Sequence, residues 1–394
     1  MNRAAMRKVL FTIGLLLSWS VAASAQTPQY GDYIDLPGSG YPADPDVIES
    51  GGTWYLYPTN SNTTIECWTS ADLETWAYGG VVWGPAEPGA WNDNNIWAPD
   101  VWEDDGTFYL YYAANNKLGV AVADDPLGPF VDVYDHPLIG GGYGGSINNA
   151  IDAEMFRDDD GSLYLYSTGY FPFGALRVFP LADPVTVGGP WRFLFMANPL
   201  SWEGTVNEGP FMIVHEGVYY LMYSGNGANT PQYGIGYATA DNPLGPFAKY
   251  ECNPILKSDA DYDFWGPGHH SLTIGPDGDW RMFYHTKLNS EINWERDIRQ
   301  NKVAFTDDGQ LYVDLGLGEP EPLDDDDDDD NDDDNDDDDD SGNDDDDDDD
   351  DDNDDDTADD DQTDDDGADD DDADDEVTPG DEADDDEDEA GCGC

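Results

Sequence analysis

Three acidic residues stand at matching places along the chain. Asp44 lies in Ala43-Asp44-Pro45-Asp46-Val47, Asp152 in Ile151-Asp152-Ala153-Glu154-Met155, and Glu208 in Asn207-Glu208-Gly209-Pro210-Phe211. An Asp beside a Pro is by default a cap or turn residue. Three acids at one register, each among apolar neighbours, are harder to read that way. Carboxyls crowded together and stripped of water lose their common pKa: one is pushed up and keeps its proton, another stays ionised. Such a pair can protonate a departing oxygen while activating a water, the acid–base work that cleavage of a glycosidic bond requires.

The elements that must carry these residues repeat. Each acid precedes, by about eight to ten residues, one copy of a short phrase. The copies are Gly52–Tyr57, Gly106–Tyr111, Gly161–Tyr166, Gly217–Tyr223 and Gly278–Tyr284. Each is a turn Gly followed by a β-branched or aromatic run, the pattern of a strand entered from a tight turn. The period of about 55–60 residues is in the range of propeller blades or longer, and one such unit cannot bury its faces alone. The expectation is an all-β fold, a five-bladed β-propeller over residues 26–323. The acidic segments then form the innermost strand of each blade and meet at the axis. Blades two and five supply Trp97-Ala98-Pro99-Asp100-Val101 and Gly266-Pro267-Gly268-His269-His270-Ser271 at the same place.

In that order, these five motifs resemble glycoside hydrolase family 43 over about Tyr41–Tyr312. The resemblance implies an inverting enzyme acting on arabinose- or xylose-containing polysaccharide. It implies Asp44 as general base, Asp152 as the carboxylate that orients the acid and tunes its pKa, and Glu208 as general acid. Asp46 and Glu154 are implied to be neighbours without a catalytic part. Gly268-His269 matches the family's central histidine, which implies a calcium ion at the axis, not required for the acid–base step. Arg296 is implied to contact a sugar hydroxyl, although Gln300-Asn301 replaces the pair more common there. Trp97 and Trp265 are candidates for stacking on a sugar face. Two other readings stay open: a related propeller hydrolase acting on galactan or a marine glycan, and a non-catalytic carbohydrate-binding propeller. Retention of all three acids argues against the last.

Both ends of the chain are unlike its middle. Residues 1–25 read as a signal peptide: Arg3, Arg7 and Lys8, an apolar stretch Val9–Val21, then Ala23-Ser24-Ala25 before the cut. The protein is therefore expected to be secreted, with no transmembrane segment in the mature chain. Residues 324–394 read as a disordered, Asp-rich tail. Of the chain's 90 acidic residues, 48 fall between Asp324 and Glu389, and like charges with nothing apolar to bury cannot collapse. The tail ends in Gly-Cys-Gly-Cys, which would allow attachment to a cell surface. The part before the tail is acidic on its own, with 42 acidic residues against 14 Lys and Arg, which disfavours nucleic acid, whose binding needs a basic footprint. Cys67 and Cys252 fall in different blades, and the sequence leaves open whether they pair.

Overall fold

The computed structural model describes residues 26–320 apart from Phe171. The expected signal peptide, the Asp-rich tail and its two terminal cysteines lie outside the described residues.

Five antiparallel sheets follow one another along the chain. Blade 1 runs Ala43–Ser50, Thr53–Thr59, Ile65–Ser70 and Trp76–Trp83. Blade 2 runs Ile96–Asp104, Thr107–Ala114, Lys117–Ala123 and Val131–Asp132. Blade 3 runs Ile151–Arg157, Leu163–Tyr170, Gly174–Asp183 and Thr186–Val187, with Arg192–Met196 also paired to its third strand. Blade 4 runs Asn207–His215, Val218–Gly225, Gly234–Ala240 and Ala248–Lys249, and blade 5 Trp265–Ile274, Trp280–Lys287, Arg296–Phe305 and Leu311–Asp314. The first strand of each blade touches the first strand of the next, and blade 5 returns to blade 1, so the ring closes. The expected five-bladed propeller is what forms.

The repeated phrase is now explicable at both ends. Its Gly opens the second strand of each blade in the left-handed region: Gly52, Gly106, Gly161, Gly217 and Gly278 have φ between 77° and 88°. A Cβ disfavours that conformation, so the hairpin needs glycine there. At the other end, the buried Tyr57 hydroxyl donates to the Pro126 carbonyl of the next blade at 2.8 Å. Tyr111 does the same to Pro184 at 2.6 Å and Tyr166 to Pro243 at 2.7 Å. A buried phenol needs a partner, and these find one in the outer turn of the neighbouring blade. That turn is why Ala123–Phe130 and Ala240–Phe247 share nearly one phrase.

Five hydrophobic clusters fill the five blade interfaces. Tyr57 and Ile65 meet Val101 and Leu110 between blades 1 and 2, and Leu118 meets Met155 and Leu165 between blades 2 and 3. Leu176 meets Leu221 between blades 3 and 4, and Met222 meets Met282 between blades 4 and 5. Truncating a wholly buried residue such as Leu110 or Leu165 to Ala would cost about 2–5 kcal/mol. The last interface is sealed by the N-terminal strap. Gln29 N donates to Leu315 O and Ile34 N to Ile298 O, both at 2.8 Å, and Ile34 and Leu36 pack with Val47, Leu56, Phe283 and Ile298. Cys67 is a free, buried thiol, so no bridge joins it to Cys252.

Candidate active site

Near its start, each inner strand slips register against its partner. At each slip one residue takes a left-handed backbone: Asp44 (φ 47°), Ala98 (42°), Asp152 (53°), Gly209 (58°) and His269 (46°). For a non-glycine residue this conformation carries strain, which persists only where the surroundings impose it, and such bulges re-aim side chains. Asp44 and Asp152 sit on the strained position itself. Glu208 is one residue before it, next to Gly209, where an added Cβ would meet the His269 ring at 3.2 Å. The bulges turn all three acids to one end of the axis, as the sequence leads one to expect.

Two residues further along, a second tier of acids does different work. Asp46 Oδ2 accepts from Val101 N at 2.8 Å, Asp100 Oδ2 from Met155 N at 3.0 Å, and Glu154 Oε1 from Met212 N at 3.4 Å. Each carboxyl thus staples its blade to the inner strand of the next. Burial pushes all three up, Asp46 to about 7, against the pull of the backbone donors. Asp46 and Glu154 thus bind the backbone of the neighbouring blade.

Asp44 stands among one arginine and two histidines. Its Oδ1 lies 3.3 Å from Arg296 Nη1, 3.3 Å from His269 Nδ1 and 3.2 Å from His285 Nδ1. Burial alone would raise its pKa, but His269, Arg296 and His285 outweigh burial and hold it well below the usual carboxylate range. His285 is itself pushed down to about 4 by burial and by Arg296.

Glu208 is the opposite case. Burial and the neighbouring Asp152 raise it to about 7. Both its oxygens accept phenolic protons: Oε2 from Tyr170 at 2.6 Å and Oε1 from Tyr233 at 2.9 Å. Asp152 is raised by burial and by Asp44, against His269, and its Oδ2 accepts from Gly209 N at 3.2 Å. It is thereby tied to the residue that follows Glu208.

The remaining sequence candidates fall in different settings. Arg296, taken as a sugar contact, bonds Asp44, and its guanidinium lies 5.2 Å from the ring of Trp294, which is 61% exposed. Trp265 Nε1 donates to Asp263 Oδ1 at 2.7 Å. Trp97 packs on the core between blades 2 and 3. His270 is buried, has no partner on either ring nitrogen, and is pushed down to about 3 by burial and by His269. Tyr170, Tyr233, His285 and Trp294 were not foreseen. Tyr170 ends the second strand of blade 3, Tyr233 follows the second strand of blade 4 and His285 lies within the second strand of blade 5, all away from the motif segments. A separate cleft of about 860 Å³, lined by Tyr30, Asp72, Tyr262, Arg281 and Arg299, contains none of the three acids.

The expected calcium finds few protein donors. His269 Nδ1 faces Asp44, and among the described residues no group of three or more His, Cys, Asp or Glu is placed to hold a metal ion. Calcium takes six to eight oxygen ligands, so the residues present do not make a site by themselves.

A family model described as glycosyl hydrolases family 43 matches residues 38–311. The chain belongs to family 43. A β-D-galactofuranosidase of Aspergillus niger is 30% identical over 69% of this chain and 82% of its own length. A β-xylosidase of Xylanibacter ruminicola is 26% identical over 69% of this chain and 96% of its own. Among solved structures, a thermostable family-43 glycoside hydrolase is 32% identical with a TM-score of 0.66, covering 75% of this chain and 98% of that one. An endo-1,4-β-xylanase from Bacteroides thetaiotaomicron is 30% identical with a TM-score of 0.64, covering 71% and 94%. As a member of family 43 the chain is an O-glycosyl hydrolase. Among its described residues, no helix is long and apolar enough to cross a membrane.

Proposed function

We propose that this family 43 member is a secreted, inverting hydrolase that removes arabinofuranosyl or xylosyl units from plant-type polysaccharide. Asp44 takes a proton from water as that water attacks the anomeric carbon. The bond to the leaving oxygen breaks with its electron pair going to oxygen, and Glu208 supplies the proton that oxygen needs. Asp152 orients Glu208 through Gly209 and raises its pKa. The observation that carries this reading is the opposed displacement of two carboxyls in one site: Asp44 held down by Arg296 and the histidines, Glu208 pushed up to about 7 by burial and Asp152. An acid that keeps its proton beside a base that has lost its own is the arrangement such hydrolysis needs.

The relative from Aspergillus niger favours a second reading, a galactofuranosidase. α-L-Arabinofuranose has the ring configuration of β-D-galactofuranose without its exocyclic CH₂OH, so one pocket wall decides between them. A missing or extra carbon is worth only about 10–200-fold in such a pocket. Aryl α-L-arabinofuranoside, β-D-xyloside and β-D-galactofuranoside, assayed side by side with arabinoxylan and galactan, distinguish the readings by kcat/KM. The anomer released in the first turnover, read by NMR, tests inversion. Release of none of these sugars would leave the binding-propeller alternative standing.

A further inference from the structure

Both oxygens of the Glu208 carboxyl accept a phenolic proton. Tyr170 donates to Oε2 at 2.6 Å and Tyr233 to Oε1 at 2.9 Å. Each oxygen keeps a second lone-pair position, so the one that carries the proton can hand it over only in the direction its tyrosine leaves open. The two tyrosines therefore set the aim of the acid, and only one of them has room to move.

Tyr233 has none. It is wholly buried, its ring stacks on His285 at 5.5 Å and 9°, and it fills the space over Gly268, where a Cβ would meet the ring at 1.9 Å. Tyr170 differs on each count. It is the last residue of the strand Leu163–Tyr170, at the end of the axis that carries the three acids, and it is 37% exposed. Its backbone is held while its side chain stays reachable. Tyr170 N donates to Asn149 Oδ1 at 2.9 Å, Asn149 Nδ2 donates back to Tyr170 O at 3.3 Å, and Arg177 Nη1 donates to Asn149 O at 3.1 Å. Gly169 makes room for that brace: a Cβ there would lie 2.1 Å from the Arg177 guanidinium carbon.

We propose that Tyr170 is the positioning residue of the acid: it aims Glu208 Oε2 at the mouth of the site, so that the lone-pair position it leaves open faces the oxygen of the leaving group. Oε2 is then the atom that delivers the proton, and Oε1 stays anchored on Tyr233. Tyr170 also occupies the leaving-group side of the scissile bond, so it acts on which leaving groups are accepted. The inference rests on the reading of Glu208 as the acid.

The test uses the full chain and a series of aryl and alkyl glycosides of the sugar it cleaves best, with leaving groups from dinitrophenol to methanol. Tyr170→Phe should lower kcat on the poor leaving groups by about 10–100-fold, the scale of a misplaced catalytic group. On the dinitrophenyl substrate the loss should stay below about threefold, because that departure needs little protonation. The alkaline limb of kcat/KM should also move to higher pH, since the lost O–H donor favoured the ionised carboxylate. Asn149→Ala, which loosens the brace and leaves the phenol in place, should show the same leaving-group dependence more weakly. Losses equal across the series, or an unmoved alkaline limb in Tyr170→Phe, would overturn the proposal. Glu208→Gln run on the same series separates the two ideas: if its own losses do not depend on the leaving group, the acid assignment has failed, whatever Tyr170 does.

Discussion

The ring of Tyr233 stacks on the imidazole of His285, their centroids 5.5 Å apart and their planes 9° from parallel. Tyr233 donates to Glu208, and His285 Nδ1 lies 3.2 Å from Asp44 Oδ1. The stack is therefore a rigid link between the carboxyl pushed up and the carboxyl held down. It crosses from blade 4 to blade 5 and back to blade 1, so the spacing of the pair is set by how three blades pack.

Glu208→Gln should lower kcat on polysaccharide by at least the 10²–10⁴-fold typical of general acid catalysis, and by less on activated aryl glycosides. The amide keeps both tyrosine partners within reach, so the melting temperature should change little. Steady-state kinetics on both substrates and a thermal melt check this; equal losses on both substrates would contradict the acid role.

Arg296→Met removes the guanidinium charge beside Asp44. The Asp44 carboxyl should then titrate at higher pH, moving the acid limb of kcat/KM upward. Breaking a buried charge pair costs about 3–5 kcal/mol when one partner is left behind, so the melting temperature should fall as well. Arg296→Lys should return the limb toward its original place. A limb that stays put in the Met variant would mean that Arg296 does not tune the base.

Asp46→Asn should flatten the dependence of stability on pH. Burial raises the folded pKa of Asp46 to about 7, above its unfolded value near 4. Stability from such a group is complete below the unfolded pKa and is lost as pH rises through the folded one. Between pH 4 and 7 the parent protein should lose melting temperature relative to the variant. Parallel curves for the two proteins would show that Asp46 does not titrate in this window.

Deleting Asp324–Cys394 should leave kcat/KM on an aryl glycoside within about twofold of the full chain. The segment has almost nothing apolar with which to pack on a propeller. Loss of hydrolysis on a small substrate would make the tail a working part of the enzyme and not a spacer.

Much of this protein is legible from its sequence because the repeat is physical. A turn Gly before each second strand and a Tyr at its far end recur because every blade needs the same hairpin and the same bond to its neighbour. The acid-bearing segments are legible for a similar reason: inner strands meet at an axis, so a carboxyl in each is brought toward the others. The separation of Asp44 from Asp46, and of Asp152 from Glu154, came from family resemblance. Neither spacing nor composition distinguishes a residue on the bulge from one two places on.

By itself the sequence determined the ring, its five interfaces and the inner strands that carry the three acids, since these depend on patterns that local backbone geometry repeats. Only the tertiary structure decided what those acids are. The slip in each inner strand sends Asp44 into contact with Arg296 and His285, some 240–250 residues away, while Asp46 turns to the backbone of Val101. Tyr170 and Tyr233 reach Glu208 from two different blades. A pKa is set by burial and by charges within a few ångströms, and those neighbours exist only once the ring has closed.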